Sequence, residues 1–266
     1  MTVGRALRVL GVLAVVLVVA AGALVGWNRW WRTAGPANPG FECPTVIAAK
    51  DRVPFAAGDV KRVALIGDSI MSQASCAIGE SLADVGIRTS RHAIPGSGLL
   101  AGIDWIAATR FVLRAERPDA VIAIFVGNYL PEPVRDDAGD VIADNSPEFF
   151  RAWQQRAERL SDLVHDAGAE MYWVSPPPLA DPLLGHAARL FGGYRKIPGD
   201  HVLTSGRVLA GPDGALVMRK ETCGHERVIR TPERVHLTFD GARIYGQQIA
   251  HDFTADLGVF TTPKPC

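Results

Sequence analysis

Short apolar runs alternate with longer segments of helical pattern between residues 63 and 256. The run 120–126 (AVIAIFV) is apolar throughout, as a strand covered on both faces requires. Ser146, Pro147 and Gly168 provide an N-cap, a first helical residue and a C-terminal stop for one helix. The pattern predicts strands at 63–66, 87–93, 120–126 and 170–174, and helices at 70–84, 105–115, 147–167 and 239–256.

Strands and helices that alternate at this spacing are typical of a parallel sheet with helices on both faces. We therefore expect an α/β fold, a three-layer α/β/α sandwich around a central parallel sheet. The segment 179–230 does not follow the alternation, because it contains several Gly and Pro and only a weak strand signal at 215–218. We interpret it as a lid or a substrate-facing excursion.

The first 32 residues differ from the rest of the chain. Residues 9–27 form an uncharged apolar run that follows Arg5 and Arg8. A run of this length is close to the ~20 residues that a helix needs to cross a bilayer, and the preceding charges favour an N-terminus on the inside. The small residues 21–23 also allow a cleaved secretory signal. A buried core helix is the least favoured alternative.

The anchor and the signal place the remaining chain in the same compartment, outside the cytoplasmic membrane. We expect a single-pass membrane protein, or a secreted one if the signal is cleaved. Three parts follow: the anchor or signal at 1–32, a Pro- and Gly-rich tether at 33–44, and a folded domain at 45–266.

Four cysteines fit an oxidising compartment: Cys43, Cys76, Cys223 and Cys266. We expect two disulfides and favour Cys43 with Cys76 and Cys223 with Cys266, with buried free thiols as the alternative. Neither the cysteines nor the histidines show metal-ligand spacing, so we expect no metal and no cofactor. Lys+Arg and Asp+Glu are equal at 28 each, so nucleic acid is not an expected partner.

Ser69 directly follows the first predicted strand and opens a predicted helix. Ligands of open α/β sheets bind at the carboxyl ends of strands, and a helix N-terminus there favours developing negative charge. Ser69 is therefore a candidate nucleophile, and a plain helix N-cap is the alternative. A serine hydroxyl needs a base, and His236 is the candidate, with Glu233 three residues earlier to orient its ring.

Four short motifs carry a resemblance to a known family: GDSI (67–70), PGSGL (95–99), VGN (126–128) and RVHLT (234–238). From about residue 63 to about residue 250 the chain resembles an SGNH (GDSL-like) hydrolase, whose motifs occur in this order. The resemblance implies a flavodoxin-like sheet. Glu233 stands where the family has Asp, one methylene shorter.

The resemblance implies a role for each motif residue. Ser69 is the nucleophile, His236 the base, and Glu233 the third catalytic member. The oxyanion hole comprises the backbone N–H of Ser69, the N–H of Gly98 and the side-chain amide of Asn128. Asp68 and Gly96 are expected to contact the substrate. Asp68 is expected to organise the turn rather than to take part in the chemistry.

The resemblance implies a serine esterase that hydrolyses ester-linked acyl groups. The expected location favours an acylated glycan or lipid of the cell envelope as its substrate. The same residues would serve an O-acyltransferase of envelope polysaccharide, which product analysis with an acceptor present would reveal. A catalytically inactive binding module on this fold is the third alternative, because fold alone does not fix function.

Overall fold

The computed structural model describes residues 43–50, 60–100, 103–127, 134–135, 139–179 and 187–259. These residues belong to one compact unit, Cys43–Cys266. Within them no helix is long and apolar enough to span a membrane. The apolar run 9–27 lies outside the described residues.

A six-stranded sheet forms the centre of the fold, in the order β1-β3-β2-β4-β5-β6. All neighbouring strands are parallel except β1 and β3, which are antiparallel. The parallel strands follow the flavodoxin-like order, with the direction of winding switching between β2 and β4. The strands are β1 (Val46–Ile47), β2 (Arg62–Gly67), β3 (Arg88–Ala93), β4 (Ala120–Ile124), β5 (Glu170–Val174) and β6 (His201–Leu203).

In the described ranges five α-helices accompany the sheet: α1 (Ser69–Ala83), α2 (Trp105–Glu116), α3 (Pro147–Asp166), α4 (Ala187–Tyr194) and α5 (Phe239–Asp256). The predicted cap of α3 is confirmed, since Ser146 Oγ accepts the N–H of Phe149 at 3.1 Å. Thr238 caps α5 in the same way, accepting the N–H of Gly241 at 3.2 Å. Such caps satisfy backbone donors that the first turn of a helix leaves unpaired.

Helices cover both faces of the sheet. On one face α2, α3 and α4 pack around buried aromatic side chains, among them Trp105, Trp153 and Trp173. On the other face α1 packs against α5, and Tyr172 of β5 meets Phe253 of α5 edge-on at 4.7 Å. The predicted α/β fold is confirmed, and its sheet is parallel except for the edge strand β1, which was not predicted.

The segment 179–230 is more regular than its sequence indicates. Its described part contains α4, β6 and a 3₁₀ helix at Ser205–Leu209. The weak strand signal at 215–218 is displaced: the strands are β7 (Arg219–Thr222) and β8 (His225–Val228), an antiparallel hairpin. Cys223 and Gly224 turn this hairpin with φ of 58° and 74°, as a two-residue loop requires.

One predicted disulfide is present. Cys43 is bonded to Cys76 of α1, so the first described residues are covalently attached to that helix. The other predicted pair, Cys223 with Cys266, includes a residue outside the described ranges.

Candidate active site

The turn that follows β2 depends on Gly67. This residue has φ of 148°, and a Cβ at its position would lie 2.1 Å from the carbonyl oxygen of Ile124. The next residue, Asp68, donates its backbone N–H to the same oxygen at 3.2 Å. Only glycine lets the ends of β2 and β4 approach so closely, which places Ser69 at the switch point of the sheet.

Asp68 is fully buried and holds this turn in place. One carboxylate oxygen accepts the N–H of Ile70 at 2.9 Å, and the other accepts the N–H of Val126 at 2.7 Å. Burial raises the pKa of this carboxyl to about 7, although backbone hydrogen bonds oppose the rise. The side chain of Asp68 faces the protein interior and connects the loops after β2 and β4, as expected of a residue that organises the turn, and its contact with substrate stays a prediction.

Ser69 is the first residue of α1 and is 7% exposed. Its Oγ lies 3.0 Å from Nε2 of His236. At this position the backbone N–H groups of the first helical turn point toward the serine, and the helix dipole favours negative charge there. The arrangement suits removal of the hydroxyl proton by the imidazole.

His236 contacts a carboxylate on its other side. Its Nδ1 lies 2.9 Å from Oε1 of Glu233, and about half of the Glu233 side chain is exposed. Burial alone would raise the pKa of Glu233, but hydrogen bonds from Thr231, from its own N–H and from His236 hold it below its usual range. An ionised carboxylate on Nδ1 orients the ring so that Nε2 faces Ser69.

Two buried side chains that the sequence did not single out hold the loop that carries His236. The side-chain amide of Gln73 donates to the carbonyl of Leu237 at 3.3 Å and accepts the N–H of Leu237 at 3.0 Å. Arg230 donates from Nη1 to the carbonyl of Val235 at 3.1 Å. Gln73 lies one helical turn after Ser69, so one face of α1 carries the serine and fixes the histidine loop.

A sequence signal existed for Gln73 but not for Arg230. Residues four apart on a helix share a face, so a polar side chain at the position of Gln73 is expected to lie near Ser69. Arg230 carries no comparable pattern. Burial lowers the pKa of its guanidinium to about 10, which leaves a buried cation beside the histidine loop at neutral pH.

Two of the expected oxyanion donors, the N–H groups of Ser69 and Gly98, lie in turns that follow neighbouring strands, β2 and β3, at the same end of the sheet. Gly98 is buried in the loop after β3, which begins where Ile94 donates its N–H to the carbonyl of Gly67 at 2.8 Å. Gly96 is exposed with φ of 80° and has open space around its Cβ position. It forms the corner of a Pro-Gly turn, which accounts for the glycine without a substrate contact. Asn128 lies outside the described residues.

In the described ranges no group of three or more His, Cys, Asp or Glu side chains is placed to hold a metal ion.

Residues 62–252 match a family model described as "Protein of unknown function (DUF459)". The chain belongs to the DUF459 family. Among curated proteins, none matches the sequence of this chain.

Solved structures of low sequence identity share the fold of this DUF459 protein. A G-D-S-L family protein from Desulfitobacterium hafniense, described as lipolytic, is 15% identical, with a TM-score of 0.52 over 71% of this chain and 98% of that one. An acetyl xylan esterase from Geobacillus stearothermophilus is 14% identical, with a TM-score of 0.51 over 78% and 98%. The esterase EstA from Pseudoalteromonas sp. is 10% identical, with a TM-score of 0.50 over 75% and 100%. The resemblance to the SGNH (GDSL-like) superfamily is thus confirmed for the fold of the DUF459 chain.

Proposed function

We propose that this DUF459 protein is a serine esterase that hydrolyses ester-linked acyl groups. One observation carries the proposal: an unbroken hydrogen-bonded chain from Glu233 through His236 to Ser69, with 2.9 Å and 3.0 Å between the paired atoms. Ser69 is 167 positions from His236 in the sequence, and a buried amide clamp holds the histidine loop against the helix of the serine. A helix N-cap would not require either arrangement.

The mechanism follows from the order of these contacts. His236 takes the proton of Ser69 as Oγ attacks the ester carbonyl carbon, and the carbonyl oxygen becomes an oxyanion. The N–H of Ser69, the N–H of Gly98 and the amide of Asn128 are the proposed donors to that oxyanion, each worth roughly 3–4 kcal/mol to the transition state. His236 then protonates the departing alcohol oxygen.

Water completes the cycle. It attacks the acyl carbon of the serine ester while His236 takes a proton from it. Collapse of the second oxyanion breaks the bond to Oγ, releases the carboxylic acid and returns the proton to Ser69. Glu233 stays ionised throughout and stabilises the imidazolium that forms in each step.

We place the enzyme outside the cytoplasmic membrane and propose an acylated envelope glycan or lipid as its substrate. Two observations support this location. The run 9–27 is apolar and follows two arginines, and the disulfide between Cys43 and Cys76 is typical of an oxidising compartment.

Hydrolysis of a short-chain nitrophenyl ester tests the proposal. The full chain, kept oxidised and in mild detergent, is compared with Ser69→Ala and with Ser72→Ala, a matched serine on the same helix. We expect the wild type and Ser72→Ala to hydrolyse the ester, and Ser69→Ala to lose at least about 1,000-fold in kcat. A folded wild type without activity, or an active Ser69→Ala, would remove the basis of the proposal. Adding a glycan acceptor and analysing the products then shows whether water or a sugar hydroxyl resolves the serine ester.

A further inference from the structure

A large cavity lies at the carboxyl ends of β5 and β6. Its volume is about 810 Å³, and the described part of its lining comes from residues 175–179, 187–195 and 204–216. Neither Ser69 nor His236 lines it. Because β2, β4, β5 and β6 are parallel, the cavity lies at the same edge of the sheet as Ser69, the edge at which ligands of open α/β sheets bind.

Hydrogen bonds join one wall of the cavity to the loop that carries His236. Its wall includes Pro178, whose carbonyl accepts from Nη2 of Arg230 at 2.7 Å. The same guanidinium donates to the carbonyl of Val235, the residue before His236. One buried arginine therefore joins the cavity wall to the catalytic loop.

Among the described residues, the lining of the cavity is mostly apolar and includes two cations but no carboxylate. Pro176, Phe191 and Leu216 supply apolar surface, and Arg195 and Arg207 supply the charges. Both arginines are exposed, and within the described residues neither has an acidic side chain within ion-pairing distance. The guanidinium of Arg195 lies 5.2 Å from the centre of the Phe191 ring.

Asp213 is an acidic residue in the chain segment 204–216, which forms one of these walls. Asp213 lies in the loop 211–215, and its carboxylate accepts the N–H of Ala215 at 3.0 Å. It is not part of the cavity lining. Arg195 and Arg207 thus line the same cavity, and in the described part of the chain neither guanidinium has an acidic partner.

We propose that this cavity binds an anionic sugar unit of the acyl-bearing substrate, a unit with a carboxylate or phosphate group. Arginine matches both anions because its planar fork donates two parallel hydrogen bonds. The apolar faces of a sugar ring suit the proline and phenylalanine surface beside the cations. The proposal rests on the proposed esterase function, and it names the substrate class of that enzyme.

Binding to the full chain tests the inference with three probes: a galacturonate trisaccharide, glucose phosphate and neutral maltotriose. Titration calorimetry compares the wild type with a double variant that combines Arg195→Gln and Arg207→Gln. The matched control is a second double variant, which combines Arg110→Gln and Arg114→Gln on α2. These two arginines are exposed, and the described part of the chain gives them no ion pair. Both double variants remove the same charge.

We expect at least one anionic probe to bind the wild type and the α2 control, and maltotriose to bind more weakly. The double variant of Arg195 and Arg207 should bind the anion at least about tenfold more weakly. Preference for galacturonate or for glucose phosphate identifies the anionic group. Equal loss in the two double variants, no loss in either, or no anion binding by the wild type would overturn the inference.

Nitrophenyl ester hydrolysis by the same wild-type sample separates this inference from the proposed function. Anion binding that depends on the two arginines, in a chain that hydrolyses no ester, would leave the cavity as an anion site and refute the esterase. Ester hydrolysis by a wild type that binds neither anionic probe would support the esterase and refute the anion site.

Discussion

The clamp between Gln73 and Leu237 predicts that a residue without contact to the substrate controls the reactivity of Ser69. Gln73 pairs with both polar backbone groups of Leu237, the residue that follows His236. Gln73 is buried and Leu237 is fully buried. Replacing Gln73 with methionine keeps the length of the side chain and removes both hydrogen bonds.

The expected loss of stability follows from the two groups left without a partner. A buried backbone donor or acceptor that loses its partner costs about 1–3 kcal/mol, so the loss of two such partners in Gln73→Met should lower the free energy of unfolding by about 2–6 kcal/mol. The activity should fall further than stability alone explains. A shift of about 1 Å in a catalytic group can cost about 100-fold in rate, so we expect a 10- to 100-fold loss in kcat with little change in KM.

The assay needs a control of similar stability. Leu82→Ala serves, because Leu82 is fully buried on the same helix and such a truncation costs about 2–5 kcal/mol. It lies 13 residues beyond Ser69, roughly 20 Å along the helix axis. Both variants are compared with the wild type in urea unfolding, in ester hydrolysis, and in the rate at which a fluorophosphonate inactivates the enzyme.

The phosphonate rate separates positioning from stability, since it reports how readily Ser69 attacks. We expect it to fall in Gln73→Met and to stay near the wild-type rate in Leu82→Ala at temperatures where both are folded. If Gln73→Met loses stability but reacts as fast as the wild type, the clamp does not position His236.

Three further predictions concern the turn and the triad. Glu233→Gln should lower kcat about 10- to 100-fold at every pH between about 6 and about 9. The pKa of Glu233 is depressed, so the carboxylate that the variant lacks is ionised over this whole range in the wild type. An unchanged kcat would contradict the role of Glu233. Gly67→Ala should lower the free energy of unfolding, measured in urea, by about 3 kcal/mol or more, because its Cβ would clash with the carbonyl oxygen of Ile124. The control Gly96→Ala should lower it by only about 1–2 kcal/mol, since its Cβ position is open. Equal losses in the two variants would refute the close approach of residue 67 to Ile124. The wild type should lose up to about 4 kcal/mol of its free energy of unfolding as pH rises from about 4 to about 7, because over this range the Asp68 carboxyl keeps its proton in the folded state and loses it in the unfolded state. Asp68→Asn is less stable overall, but its stability should not show this dependence on pH. Parallel profiles of stability against pH in the two proteins would contradict the raised pKa.

Sequence patterns predicted the parts of the fold that are strongly apolar or clearly capped. β4 is buried at every residue, and its run 120–126 has no polar position. The helix at Phe239–Asp256 begins at a threonine cap and matches its predicted bounds. These elements are specified by local signals, because burial on both faces and a capped first turn both leave a mark on neighbouring residues.

The elements that escaped prediction lack such local signals. β6 has three residues, which is too short for a period to show. The hairpin of β7 and β8 has largely exposed polar residues, so its strands follow no apolar alternation. What marks the hairpin is its turn, where Cys223 and Gly224 both take positive φ, and that conformation is not evident from the cysteine.

The same distinction applies to the site. Ser69 and His236 were predicted from short motifs, each beside a strand end or a helix start. The residues that hold them in place were not, because Gln73 and its partner Leu237 are 164 positions apart in sequence. Arg230 reaches two carbonyl groups in different loops, and only the folded chain shows which.

Labelling by a fluorophosphonate tests the central claim, the activated nucleophile, most directly. The full chain is treated with the reagent, digested and analysed by mass spectrometry, alongside His236→Ala. The account predicts a covalent adduct on Ser69 in the wild type, and labelling slower by at least about 100-fold in His236→Ala. A folded wild type that carries no adduct on Ser69, or equal labelling in the two proteins, would contradict it.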